Sequence, residues 1–215
     1  AAYLKANDAF GDDELIHETV RKIAAREGDG DLLAEGIHRF HDELGVEDWT
    51  VKGLSFSAHD GRTLNGQGLG FATANRGADH MYATFYAYEY PLVDASEAFE
   101  PSGLSAAKAE KLVELENKRA LEDCGVICRF SRGMMTTERF EALFDADFDD
   151  LLDVGARVVE LERHFNNQRG FSRADDRLPY EIEGLEPALD TYYETRGWTD
   201  DGVVPSVGGS SAAAD

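Results

Sequence analysis

At 215 residues the chain is long enough for one large domain or two small ones around a substantial core. Its 21 Lys and Arg stand against 43 Asp and Glu, a net charge of −22 with a pI near 4.5, which argues against nucleic acid or an anionic membrane surface as a partner. Hydrophobic residues make up 42%, too many for a disordered acidic chain, so the dispersed acidity reads as a folded surface suited to high salt, where screening removes self-repulsion. No run approaches the roughly 18 apolar residues of a membrane span, and no signal peptide opens the chain. Two cysteines without a disulfide-scaffold pattern fit a reducing cytoplasm. The first residue is Ala, and the expectation is a processed product or a piece of a longer chain.

Taken in order, Asp13 to Arg26 places Leu15, Ile16, Val20 and Ile23 on one helical face, with the Asp pair at the end where the helix dipole favours it. After the Gly28-Asp-Gly break, Asp31 is expected to cap a helix with the stripe Leu33, Ile37, Phe40 and Leu44, closed by Gly45. Trp49 to His59 alternates loosely and reads as a short extended segment, and Asp60-Gly61 turns the chain. Gly66-Gln-Gly-Leu-Gly70 then leads into Phe71 to Tyr90, which carries five aromatics between Tyr82 and Tyr90 and is closed by Pro91. Glycines before a helix can cradle a phosphate or permit close helix packing, and this spacing is neither a P-loop nor a dinucleotide fingerprint.

Ser105 is expected to cap a charged helix to Leu121. The stretch Leu121 to Phe130 mixes Asp, Gly and both cysteines and does not read as another helix. Cys124 and Cys128 there are either small buried hydrophobes or, for one of them, a metal or cluster ligand. Thr136 or Thr137 caps a helix through Phe144. From about Asp150 to Phe165 a helix carries the stripe Leu151, Val154, Val158, Leu161 and Phe165, with Arg157, Glu160, Glu162 and Arg163 on its charged face. Arg169, Arg173 and Arg177 follow in a polar loop that reads as packed by surface ion pairs rather than as an anion site. A last helix begins near Pro187 and ends at Arg196-Gly197, and the chain frays from Val203. Helices predominate and no hairpin signal stands out, so the fold class is all-α.

Several blocks together carry a family resemblance: residues 21–28, 30–36, Val-Lys-Gly-Leu at 51–54, Gly-Leu-Gly-Phe-Ala-Thr-Ala-Asn-Arg-Gly-Ala-Asp-His at 68–80, Asp-Cys-Gly-Val-Ile-Cys-Arg-Phe at 123–130, 161–179 and 192–198. In this order they resemble the C-terminal part of the tungsten-containing aldehyde:ferredoxin oxidoreductases, and the acidity suits a haloarchaeal form. The resemblance implies a partial middle helical domain over 1–65, a C-terminal helical domain over 66–205 and a flexible tail over 206–215. Its activity would be oxidation of an aldehyde to a carboxylate at a tungsten (or molybdenum) bis-pterin, with electrons leaving through a [4Fe-4S] cluster to ferredoxin.

By the same resemblance, Asp123 to Cys128 corresponds to an Asp-x-x-Gly-Leu-Cys-like motif. Cys128 corresponds to the fourth cluster ligand, Asp123 to a carboxylate that hydrogen-bonds a pterin, and Ile127 to the motif's leucine slot beside the cofactor. Val126 stands where the motif has glycine. His80 corresponds to a histidine placed beside the metal, while Asn75, Arg76 and Asp79 are secondary candidates that can equally shape the turn. Ser55 and Ser57 depart from the family's Glu and Pro. One cysteine cannot hold a cluster that needs four ligands, so the chain is expected to be inactive without an N-terminal pterin-binding domain or chain. Alternatives are a cofactor-free structural remnant and a relative of the aryl-CoA reductase branch. Assembly as a homo-oligomer is compatible with either.

Overall fold

The computed structural model describes residues 11–90, 92–131 and 134–205; the expected polar lead, Pro91 and the tail from 206 lie outside the described residues. Helix α1 (Asp13–Ala25) starts where Asp12 accepts from the Leu15 amide and ends where Arg26 turns left-handed (φ 53°), its amide reaching the Lys22 and Ile23 carbonyls. None of its residues is buried, and Val20 of the expected core stripe is 60% exposed. The single helix expected after Gly28-Asp-Gly30 is two short ones, α2 (Asp29–Leu33) and α3 (Ile37–Phe40). Gly36 separates them at φ 82°, and Asp31 lies inside α2 rather than at its cap, which is Gly28.

The extended segment is a small antiparallel hairpin of β1 (Thr50–Val51) and β2 (Leu54–Ser55), in register Thr50 with Ser55 and Val51 with Leu54. Its two turn residues, Lys52 and Gly53, both take positive φ, 50° and 82°. Such a turn favours Asn-Gly or Gly-Gly, so a lysine there hides the hairpin from pattern reading. Long-range bonds hold the lysine in place: its ammonium lies 2.7 Å from Asp176 Oδ1 and donates to the Ala72 carbonyl at 2.5 Å.

Helix α4 (Asn65–Thr73) contains the glycine run instead of following it, and all nine of its residues are buried. A Cβ on Gly66 would stand 2.3 Å from the Phe85 ring, and one on Gly68 would stand 2.4 Å from Ile182 Cδ1. The glycines therefore serve close packing. A phosphate cradle is ruled out further by the helix start, where the Gly66 and Gln67 amides donate to the Glu89 carboxylate at 2.7 and 3.0 Å. Glu89 closes the one-turn helix α5 (Tyr86–Glu89) and accepts from the buried Lys108 ammonium at 2.7 Å. Burial pushes this carboxyl above its ordinary range, against the pull of Lys108 and the two amides.

Helix α6 (Ala106–Cys124) is capped by Ser105 as expected but runs past Leu121, so Asp123 and Cys124 are helical. It is followed by α7 (Thr137–Phe144), α8 (Phe148–Gln168), a 3-10 turn at Arg173–Asp175 and α9 (Leu185–Arg196), which Gly197 closes at φ 69°. Helices α6, α8 and α9 pack around Leu112, Leu115, Val159, Leu189, Tyr192 and Trp198, joined by Leu69 and Phe85. Each such side chain contributes about 1.5–3 kcal/mol by leaving water.

The face that α8 buries is Leu151, Gly155, Val159 and Arg163; of the expected stripe Leu151 lies on that face, whereas Leu161 and Phe165 are 53% and 58% exposed. Gly155 sets this rotation: a Cβ there would lie 2.0 Å from the Asn117 carbonyl oxygen, so α8 meets α6 backbone to backbone. Nine α-helices and one two-stranded hairpin among the described residues make the fold helical, as expected, and none of those helices is long and apolar enough to cross a membrane.

Candidate active site

The last turn of α6 carries Asp123 and Cys124, and the chain then reverses through Gly125 and Val126. The Val126 amide donates to the Asp123 carbonyl and the Ile127 amide to the Glu122 carbonyl, both at 3.0 Å. This is a Schellman ending, in which the residue after the cap adopts the left-handed conformation and is usually glycine. Val126 fills that position at φ 55° and is 92% exposed. A β-branched residue in this region is strained, by about 1–2 kcal/mol. Ile127 turns inward against the Leu121, Phe140 and Leu151 cluster, which anchors the turn from its other side.

Both thiols are free and exposed, so the buried-hydrophobe reading fails for Cys124 as well as for Cys128. Between them lies a rim of ion pairs. Arg119 donates to both Glu122 oxygens, at 2.7 and 2.5 Å. Arg129 donates to Glu122 Oε2 at 2.8 Å and to Asp123 Oδ2 at 2.7 Å, with the Asp123 carboxylate still 57% exposed. The two arginines also separate two cavities. One, of about 260 Å³, is lined by Asp123, Cys124, Tyr82, Glu116 and Glu162; the other, of about 400 Å³, is lined by Cys128, Ile127, Tyr88 and Glu97. Glu116 is fully buried, paired to Arg196 at 2.6 Å and to the Tyr192 hydroxyl at 2.6 Å, but its Oε1 has no hydrogen-bond partner. Burial pushes its carboxyl up despite Arg196.

His80 lines neither cavity. Its ring stacks on that of His59, with centroids 4.6 Å apart at 20°, and Tyr86 lies beside the pair, 4.1 Å from His59 and 6.0 Å from His80. The connection to the cysteine turn runs through two elements. Tyr86 belongs to α5, whose next residues Ala87 and Tyr88 line the Cys128 cavity. Thr84, buried and left-handed at φ 59°, donates its amide to the His80 carbonyl and accepts from Arg119 Nε at 3.2 Å. The structure thus brings Asp123, Ile127 and Cys128 onto one turn and sets His80 behind α5.

The secondary candidates shape their own turn. Arg76 pairs with Asp79 at 3.0 Å and lies over the Tyr82 ring, and Asn75 donates to the Tyr82 hydroxyl and the Val159 carbonyl. In the arginine loop, Arg173 binds Glu186 and Asp190 on the surface, as expected.

The family whose model matches is described as aldehyde ferredoxin oxidoreductase, domains 2 and 3, and the match covers residues 3–207. The chain belongs to the aldehyde ferredoxin oxidoreductase family. It is 34% identical to the tungsten-containing aldehyde ferredoxin oxidoreductase of Pyrococcus furiosus, over 91% of this chain and 36% of that protein. Relatives of the same name from Thermococcus kodakarensis and Pyrococcus abyssi are 32% identical over the same shares. The chain thus spans about a third of the length of these curated relatives.

Within that family frame, two features of the site were missed by sequence reasoning. The first is His59, which the alternation Ser57-Ala-His59 puts on the same side as Ser57 but whose partner His80 lies far along the chain. The second is a buried ion network centred on Asp176. Its carboxylate receives Lys52 at 2.7 Å, Arg163 at 2.9 and 2.8 Å and the Tyr193 hydroxyl at 2.5 Å. Burial pushes the Lys52 ammonium down and the Tyr193 phenol well up. No local pattern marks Arg163 as buried, because its partner arrives from the loop before α9.

Proposed function

We propose that this chain is the C-terminal part of an aldehyde:ferredoxin oxidoreductase, which oxidises an aldehyde to a carboxylate and delivers the electrons through a [4Fe-4S] cluster to ferredoxin. The observation that carries the reading is the Asp123–Cys128 turn: an exposed carboxylate and an exposed thiol held on a Schellman ending whose left-handed residue occupies the glycine slot of the family motif. Membership of the family over nearly the whole chain supports it.

The residues fit the expected groups in part. Cys128 would supply one thiolate ligand, its exposed thiol lying at a cavity rimmed by Arg119 and Arg129. Among the described residues, no three His, Cys, Asp or Glu groups come together as a metal site, so the remaining ligands belong to another part of the enzyme. Asp123 can accept hydrogen bonds from pterin N–H groups through its exposed carboxylate. Ile127 offers its carbonyl there, since its amide is already bonded to Glu122. When bound, the tungsten (or molybdenum) bis-pterin centre would take up the two electrons of the oxidation.

The chemistry left to this chain is proton handling. Aldehyde plus water becomes carboxylate with release of two electrons and three protons. A ring nitrogen of His80 is suited to orient the aldehyde oxygen and to hold one of those protons. Reconstitution tests the reading: the chain is combined with the N-terminal region of a family member, and aldehyde-dependent reduction of a viologen dye is followed with tungsten and iron analysis. Activity lost on Cys128→Ser, with fewer irons per chain, supports the assignment. A complex that holds neither metal nor pterin would favour the cofactor-free remnant, and full activity in Cys128→Ser would remove Cys128 from the ligand set.

A further inference from the structure

Three rings form a triangle beside α5: His59 lies 4.6 Å from His80 and 4.1 Å from Tyr86, and His80 and Tyr86 are 6.0 Å apart. His59 is also tied by its edge, with Ser57 Oγ 3.2 Å from Nδ1. His80 has no hydrogen bond to its ring among the described residues, so stacking alone sets its plane. The charged groups nearest in the chain are already engaged: Asp60 with Arg62 at 2.7 Å, and Asp79 with Arg76 at 3.0 Å. Tyr86 is the titratable group facing the pair from α5.

We propose that His59 is a positioning residue for His80: held at its edge by Ser57 and touching Tyr86, it fixes the plane of the His80 ring. The inference rests on the assignment of His80 to the reaction made above. Two imidazolium faces at this distance repel, and among the described residues neither ring has a carboxylate partner to offset the repulsion. Burial lowers the proton affinity of His59 first, and the charge of His80 lowers it further. His80 keeps both ring nitrogens for a substrate or a proton.

The test has two arms. In the 215-residue chain, the Cε1–H signal of His59 is titrated by NMR in wild type, His80→Phe and Ser57→Ala, with thermal melts confirming the fold. His80→Phe keeps an aromatic face and removes the neighbouring charge, so the His59 midpoint should rise by about half a unit or more. Ser57→Ala should give a smaller change. A His59 midpoint unchanged within about 0.1 unit in His80→Phe overturns the pairing. In the complete enzyme, His59→Phe, which keeps the stacking face, should retain at least about tenfold more kcat/KM than His59→Ala; equal losses in the two variants overturn the positioning role. The two readings fail separately. Full activity in His80→Gln overturns the role of His80 in the reaction, whereas uncoupled titration overturns the pairing whatever the enzyme does.

Discussion

Two clusters of charge hold this molecule, and they are built on opposite terms. Around Asp176, one carboxylate gathers Lys52, Arg163 and Tyr193, with the side chains of Lys52, Arg163 and Asp176 no more than 3% exposed. Around Glu122 and Asp123, two arginines meet two carboxylates at the rim of open cavities, and Asp123 remains more than half exposed. The first cluster ties the hairpin, α8 and the segment before α9 together and leaves its carboxylate nothing to offer a ligand. The second steadies a turn while keeping a carboxylate and a thiol accessible. Charge that fixes the fold and charge that can serve chemistry differ here in burial, not in residue type.

The largest effect should come from breaking the first cluster. Asp176→Ala leaves two cations buried without their anion and should cost about 3–5 kcal/mol in unfolding free energy, measured by denaturant titration. Asp123→Ala should change stability by no more than about 0.5 kcal/mol, because water already solvates that carboxylate. Equal losses for the two variants would erase the distinction. A smaller loss is expected from Gly155→Ala, about 1–3 kcal/mol, since its Cβ would enter the Asn117 backbone and force α8 off α6. A variant as stable as wild type would mean that the helices are not locked at this crossing.

On the exposed side the sign reverses. Val126→Gly should stabilise the chain by about 1 kcal/mol, because glycine takes the left-handed conformation without strain. Thiol labelling under native conditions should modify both Cys124 and Cys128 before and after that change. Destabilisation by Val126→Gly would show that the valine side chain makes a favourable contact despite its exposure.

These comparisons also mark what pattern reading could reach. Local chemistry was legible: the start of α6 and the end of α9 follow from Ser105 and Gly197. What escaped depends on contacts between distant segments. The buried face of α8 follows from the space left at Gly155 rather than from where its apolar residues recur, so the stripe through Leu161 and Phe165 points outward. The hairpin is stabilised by what Lys52 reaches, not by the turn preference of lysine. Arg163 reads as a surface residue until Asp176 is placed beside it. The cysteine turn was misread in one respect: α6 continues into it, which exposes Cys124 instead of burying it.

The histidine stack falls between the two clusters, partly buried and without a carboxylate partner among the described residues, and the smallest predicted effect belongs to it. The proton affinity of folded His59 lies below its ordinary value of 6.5, because burial and the nearby His80 both oppose the charge. Above that pH the ring is neutral in the folded and unfolded chain alike, and its contribution to stability is fully present. As the pH falls through the unfolded value the unfolded chain binds the proton first, so stability declines until the folded ring also titrates. Thermal melts between about pH 7 and pH 5.5 should therefore show a downward slope on acidification that is shallower in His59→Phe. Identical slopes would mean that His59 is as freely solvated as the residues at the rim of the cysteine turn, and that the stack belongs with the exposed cluster rather than between the two.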